Sequence, residues 1–255
     1  MTNAASEFIW YELMTGDAQA AADFYGAVVG WTTREFEPGA DYRILAAPDA
    51  DVGGLMPPPP DRANLPAAWF GYIGVEDVDA KAREILAAGG AQHVPPTDIP
   101  GVGRFAVLAD PQGVIFYIMR GAMEGASTAF KPNAVGHCQW NELNTTDPAA
   151  ALAFYTRAFG WQKGDVMPMG EMGDYQFINI GEQMIGAVMG QPPGSPPPNW
   201  TFYFGVDDID RAAKAVADKG GTILHGPAEV PGGDHIIIVN DPQGAMVGFV
   251  GPRRG

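Results

Sequence analysis

Residues 8–15 alternate in polarity, with Trp10, Glu12 and Met14 on one face and Leu13 on the other, so the pattern predicts a short strand. The period then changes. Ala21, Phe24 and Val28 recur at helical spacing behind Asp17, which predicts a helix through about Val29, capped by Asp17 and stopped by Gly30. Arg43 to Pro48 and Val52 to Met56 read as strands, and the prolines at 57–60 close this half. A second strand–helix unit follows. Trp69 to Val75 is strand-like, Asp77 or Asp79 caps a helix carrying Val78, Ala82, Ile85 and Leu86, and Gly89-Gly90 ends it. Arg104 to Ala109 and Val114 to Met119 are strands joined by an Asp-Pro-Gln-Gly turn. The whole reads as β-α-β-β-β, repeated.

The chain then repeats this pattern. Trp10-Tyr-Glu-Leu-Met-Thr-Gly-Asp17 returns as Trp140-Asn-Glu-Leu-Asn-Thr-Thr-Asp147, Phe24-Tyr25 as Phe154-Tyr155, and Gly30-Trp31 as Gly160-Trp161. Trp69 matches Trp200, Gly74-Val75 matches Gly205-Val206, and Asp110-Pro-Gln-Gly113 matches Asp241-Pro-Gln-Gly244. A register kept to one residue over so many landmarks marks a duplicated module. The modules are 6–120 and 137–251, with 121–136 as a linker and Pro192 to Pro198 as the mid-module loop of the second.

These motifs resemble the vicinal oxygen chelate superfamily, which contains glyoxalase I, extradiol dioxygenases, bleomycin-resistance proteins and methylmalonyl-CoA epimerase. The carrying residues are Leu-x-Thr-x-Asp at 13–17 and 143–147, Phe-Tyr with Gly-Trp downstream, Gly-Val-x-Asp-Val/Ile-Asp, Gly-Gly, and Asp-Pro-Gln-Gly. These motifs, in the same order and each occurring twice, cover nearly the whole chain. Trp-x-Glu-Leu and Gly103-Arg-Phe-Ala-Val-Leu-Ala-Asp-Pro-Gln-Gly113 further resemble the tandem hydroxylase-like or antigen-like members. The resemblance implies an α+β fold: two tandem modules, each a pair of βαβββ units forming a cup-shaped mixed sheet with the helices outside. The cup's concave face would hold the site.

In metal-using members, the resemblance places one ligand seven residues before the helix-capping Asp, which is Trp10 or Trp140 here. A second position falls on Phe70 and Thr201, a third on Tyr117 and Gly248, and the fourth near Gly53-Gly54 and Gly186-Ala187. Divalent ions take imidazole, carboxylate or thiolate ligands, and none stands at these positions. No metal and no cofactor are therefore expected. The four histidines form no ligand-spaced pair, and surface or loop placements are expected for His93, His137, His225 and His235.

What the cups would retain is aromatic and acidic. Glu12 shares a face with Trp10, and Glu142 with Trp140. Phe70, Tyr72 and Tyr117 would line the first cup, and Thr201 and Tyr203 the second. Arg104, with His235 as its counterpart, would stand near the rim, to orient an anionic or carbonyl ligand or to pair with an acid. Apolar walls with a few polar groups make a small-molecule pocket, although the tryptophans serve equally as core packing and the glutamates as buried strand ties. Three readings stay open. The first is a metal-independent binding protein for an apolar or aromatic molecule. The second is a glyoxalase- or hydroxylase-like enzyme with Glu12 or Glu142 as general base, and the third is a scaffold whose cups are filled by side chains.

Charge narrows the partners. Fifteen Lys and Arg against thirty Asp and Glu give a formal net charge of −15. So acidic a surface repels phosphate backbones and anionic lipid, so neither nucleic acid nor membrane is an expected partner. The single cysteine, Cys138, forms no internal disulfide, and neither a secretion signal nor a spanning segment is read. A cytoplasmic protein, monomer or homodimer, with a small organic molecule as its partner, is the expectation.

Overall fold

The computed structural model describes residues 5–122, 125–191 and 197–254. The chain is α+β and folds as two tandem repeats of a paired βαβββ unit. The first repeat runs β1 (Phe8–Met14), α1 (Ala18–Val28), β2 (Thr32–Glu35), β3 (Arg43–Ala46) and β4 (Asp51–Met56). It continues with β5 (Ala68–Gly74), α2 (Val78–Ala87), β6 (Ala91–Ile99), β7 (Gly103–Ala109) and β8 (Ile115–Gly121). The second repeat runs β9 (Cys138–Thr145), α3 (Pro148–Phe159), β10 (Gln162–Pro168), β11 (Asp174–Ile180) and β12 (Gln183–Gly190). It ends with β13 (Asn199–Gly205), α4 (Ile209–Asp218), β14 (Thr222–Glu229), β15 (His235–Asn240) and β16 (Met246–Gly251).

Each repeat builds an eight-stranded mixed sheet, ordered β2-β3-β4-β1-β5-β8-β7-β6 and β10-β11-β12-β9-β13-β16-β15-β14. The parallel pairs β1/β4 and β5/β8, like β12/β9 and β13/β16, join elements separated by a helix. The helices start where the pattern predicts. Asp17, Asp77, Asp147 and Asp208 each accept a backbone N–H of the first turn.

Two strands of the first repeat escape the hydrophobic pattern, β2 and β6. Both lie at sheet edges, and both are largely exposed. An edge strand buries neither face fully, so its sequence carries little alternation, and it tolerates the two prolines of β6, Pro95 and Pro96.

The chain clusters into two compact units, and neither coincides with one repeat. One comprises the described residues within 10–70, 128–139 and 201–255, the other those within 1–9, 71–127 and 140–200. Each therefore combines one βαβββ element from each repeat. In the first unit, Tyr11 packs edge-on against Phe202 and Phe204, and Trp31 and Trp69 meet Phe204 with centroids 4.8 and 4.9 Å away. In the second, Phe8, Tyr155, Trp161 and Trp200 form the corresponding cluster. Contacts of this kind add about 0.5–1.5 kcal/mol per pair beyond the area buried.

A buried relay fixes each cluster. Trp69 Nε1 donates to the Tyr25 hydroxyl at 2.8 Å, and Tyr25 donates to Asp241 Oδ2 at 3.0 Å. Trp200, Tyr155 and Asp110 repeat this in the other unit at 3.2 and 3.2 Å. The other oxygen of each aspartate accepts two backbone N–H groups, from the glutamine of its own Asp-Pro-Gln-Gly turn and from the residue that follows the turn. Burial raises both carboxyls above their ordinary value, against the lowering effect of these amide bonds.

Part of the segment read as a linker is packed. Trp31 Nε1 donates to Gly136 O at 2.7 Å, and Lys131 Nζ reaches Asp49 Oδ2 at 2.8 Å. His137 corrects its expectation: it is buried, with ring nitrogens 2.6 Å from Thr128 O and 2.7 Å from Asp49 Oδ1. The proline-rich loop expected at 192–198 lies mostly outside the described residues. Among the described residues, no helix is long and apolar enough to cross a membrane.

Candidate functional site

Tyr42, just before β3, completes a group that begins on β1. The Trp10 indole Nε1 donates to the Tyr42 hydroxyl at 3.0 Å, and that hydroxyl hydrogen-bonds Glu12. An indole nitrogen only donates, so the phenol accepts from Trp10 and aims its own proton at the carboxylate. Burial first, and the charge of Glu12 second, push the Tyr42 phenol well above its ordinary range, which keeps it a donor. Glu12 is only 4 % exposed, while Trp10 and Tyr42 are half-buried.

The second repeat builds the same group. Trp140 Nε1 donates to the Tyr175 hydroxyl at 2.7 Å, and Tyr175 donates to Glu142 Oε2 at 2.7 Å. Asn144 Nδ2 adds a bond to Glu142 Oε1 at 3.1 Å, so both oxygens of this carboxylate are held. Glu142 is 8 % exposed, and Trp140, Tyr175 and Phe177 stand half-buried around it in edge-to-face contact. Burial and the charge of Glu142 raise the Tyr175 phenol well above its ordinary range.

Register explains how the first tyrosine gets in. Glu12 pairs with Gly54 across β1/β4, and a β-carbon at Gly54 would overlap the Tyr42 ring and hydroxyl. In the second repeat Ala187 pairs with Glu142, and Phe177 opposes that alanine on β11. The two tyrosines are the site residues that periodicity alone overlooks. One signal was available: the dipeptide Asp-Tyr recurs as Asp41-Tyr42 and Asp174-Tyr175, displaced by three residues from the register of Trp10 and Trp140.

The other predicted residues divide by face. Tyr72 pairs with Tyr117 across β5/β8, their rings 4.6 Å apart, and Phe105 stacks on Tyr117 at 6.4 Å. Phe70, two residues before Tyr72 on β5, is half-buried. In the second repeat the Tyr203 ring lies over Gly248, which replaces Tyr117, and a β-carbon there would overlap it. Thr201, two residues earlier, is 1 % exposed. Ile236 and Ile238 share the face of Gly248 and are half-buried.

Arg104 and His235 turn to the opposite, helix-bearing face. Arg104 grips Asp79, in the first turn of α2, at 2.7 and 3.0 Å, and Asp98 at 2.9 Å. It therefore pairs with acids on the helix side rather than standing at the rim with Tyr72. His235 shares its face with the fully buried Ile237 and Val239, and its Nδ1 is buried without a hydrogen-bond partner. In this repeat Arg253 takes the corresponding aspartate, Asp210, at 2.8 Å. His93 and His225 lie exposed on the edge strands β6 and β14.

At the positions that the resemblance gives to metal ligands stand Trp10, Trp140, Phe70, Thr201, Tyr117 and Gly248. The Trp10 and Trp140 indoles are donors to tyrosines, Tyr117 stacks on Tyr72, and Gly248 lies under a ring. Phe70 and Thr201 add neither imidazole, carboxylate nor thiolate. Among the described residues, no three His, Cys, Asp or Glu side chains group to hold an ion.

Comparison with known proteins agrees with the architecture. The family model of the Glyoxalase/Bleomycin resistance protein/Dioxygenase superfamily matches residues 7–118 and again 134–249. The anthracycline biosynthesis protein DnrV of Streptomyces peucetius is 33 % identical over 267 aligned positions, which cover 96 % of this chain and 93 % of the relative. A protein of Mycobacterium bovis named "Putative glyoxylase CFP32" is 32 % identical over 247 residues, 95 % of this chain and 94 % of its own. Among solved structures, the Mn(II)-bound glyoxalase of Novosphingobium aromaticivorans superposes with a TM-score of 0.65 at 19 % identity. That match covers 98 % of this chain and 82 % of the other. A homoprotocatechuate 2,3-dioxygenase variant from B. fuscum gives 0.69 at 14 %, covering 98 % and 71 %. Likeness at such identities speaks for the fold alone.

Proposed function

The chain belongs to the Glyoxalase/Bleomycin resistance protein/Dioxygenase superfamily, and we propose that it binds a planar aromatic or otherwise apolar small molecule without the help of a divalent ion. One observation carries this reading: at Trp10 and Trp140, where the resemblance puts a ligand position, each indole is engaged as donor to a tyrosine that hydrogen-bonds a glutamate. Each relay offers a half-buried aromatic wall beside one oriented carboxylate, the composition of a small-molecule pocket. The name of the relative DnrV, an anthracycline biosynthesis protein, supports a polycyclic aromatic ligand.

The test is titration with anthraquinone, followed by quenching of tryptophan emission, in buffer containing EDTA. The reading predicts saturable binding, unchanged by EDTA and weakened on the order of tenfold or more in Trp10→Leu/Trp140→Leu, since losing an aromatic wall removes about 1.5–3 kcal/mol of burial. Absence of binding, or binding seen only when Mn(II) is added back, overturns it.

A further inference from the structure

The two relays differ at three positions, one of which shares the glutamate's own strand and face. Two residues beyond the glutamate stands Asn144 in the second repeat and Met14 in the first. Asn144 Nδ2 fixes Glu142 Oε1 while the Tyr175 hydroxyl fixes Oε2, at 3.1 and 2.7 Å. A carboxylate held at both oxygens by neutral donors loses its freedom to rotate. Met14 has a thioether at the corresponding place and donates nothing.

Resting on the aromatic-ligand reading above, we propose that the second repeat selects aromatic molecules bearing a ring hydroxyl, with Glu142 as its acceptor and Asn144 as the positioning residue. A carboxylate only accepts, so whatever polar group meets Glu142 must donate. The walls around it are aromatic. Trp140, Tyr175 and Phe177 are half-buried, and the Phe177 ring meets Trp140 at 5.8 Å and Tyr175 at 5.6 Å, each edge-to-face. A ring lying along these walls presents its edge, and the hydroxyl on it, to the carboxylate. The resulting O–H···O⁻ bond is of the strong, charge-assisted kind, and sites built around such a bond discriminate against the analogue lacking the hydroxyl.

The experiment compares anthraquinone with 2-hydroxyanthraquinone in mildly acidic buffer, where the phenol is protonated. Wild type is expected to bind the hydroxylated probe on the order of tenfold tighter. Glu142→Gln, which exchanges a charged acceptor for a neutral amide, should lower the ratio most, and Asn144→Met should cut it roughly threefold. If Glu142→Gln does not fold, Asn144→Met and the carboxylate infrared band of the wild type decide. The band is expected to shift with the hydroxylated probe and stay fixed with anthraquinone. Equal affinities in the wild type overturn this proposal and leave the aromatic-ligand reading standing, whereas failure of both probes to bind overturns that reading itself. A preference undiminished in Glu142→Gln also overturns the proposal.

Discussion

The same three-part relay, tryptophan to tyrosine to carboxylate, appears in two settings. The inner version, Trp69–Tyr25–Asp241 and Trp200–Tyr155–Asp110, has every member buried and each aspartate tied to backbone amides of its turn. It is the same in both repeats. The outer version, Trp10–Tyr42–Glu12 and Trp140–Tyr175–Glu142, keeps its aromatic members half-buried and differs between repeats at Met14/Asn144, Gly54/Ala187 and Ile44/Phe177. Identical chemistry thus serves two ends. Where the relay is sealed, any change leaves a buried polar group without its partner, so the copies stay alike. On the half-buried face the two copies differ at three positions.

The largest effect should come from breaking the inner relay. Asp241→Ala or Asp110→Ala removes the acceptor of a buried phenol and of two amides, and each should cost about 3 kcal/mol in urea unfolding. Similar losses for the two variants would support the equivalence, and a large difference would break it.

The outer relay should respond unequally. Gly54→Ala places a β-carbon on the Tyr42 ring and should cost about 2 kcal/mol, with loss of the Tyr42–Glu12 bond. Ala187→Gly, the reciprocal change, should cost about 1 kcal/mol through backbone entropy alone. Thermal melts of the two variants separate these expectations. Tyr42→Phe and Tyr175→Phe each remove the acceptor of an indole and a donor to a glutamate. A loss of about 1–2 kcal/mol is expected, accompanied by a shift in tryptophan emission.

The smallest effect is in pH dependence, where the two kinds of aspartate act with opposite sign. Asp49, hydrogen-bonded by Lys131 and by His137, is held at about 2 against an ordinary 3.8. Its folded state binds fewer protons than the unfolded chain between these values, so its contribution is present above 3.8 and lost as pH falls to about 2. Asp110 and Asp241, raised by burial, bind more protons when folded, so their contribution declines as pH rises past the ordinary carboxyl value. Asp49→Asn should therefore flatten the acid limb of the stability curve, as measured by urea midpoints across acidic pH. An unchanged limb would exclude the pairing as its source.

Much of the fold was legible because duplication doubles every signal. The caps Asp17 and Asp147, the Asp-Pro-Gln-Gly turns and the helical runs each occur twice at one spacing. The edge strands β2 and β6 were not, since half-solvated strands lack the alternation that burial imposes. Strand period puts Glu12 on the face of Trp10 and Glu142 on the face of Trp140, and the structure joins each pair through a tyrosine. Tyr42 and Tyr175 were hidden because each stands some thirty residues from its partner, in a register displaced by an insertion. Of the two roles open to Arg104, the structure realises pairing with acids, Asp79 and Asp98, and it turns His235 to the same helix-bearing face, which a strand's two-residue period cannot distinguish from the rim.

The central claim is that the relays serve an organic ligand where a metal site would otherwise stand. Native mass spectrometry of the untagged protein, with elemental analysis of the same sample, tests it most directly. The account predicts a spectrum without stoichiometric Zn, Fe, Ni or Mn, and an added mass in the small-molecule range after incubation with a hydroxylated anthraquinone. One equivalent of such a metal per chain, removed by chelator together with ligand binding, would contradict it.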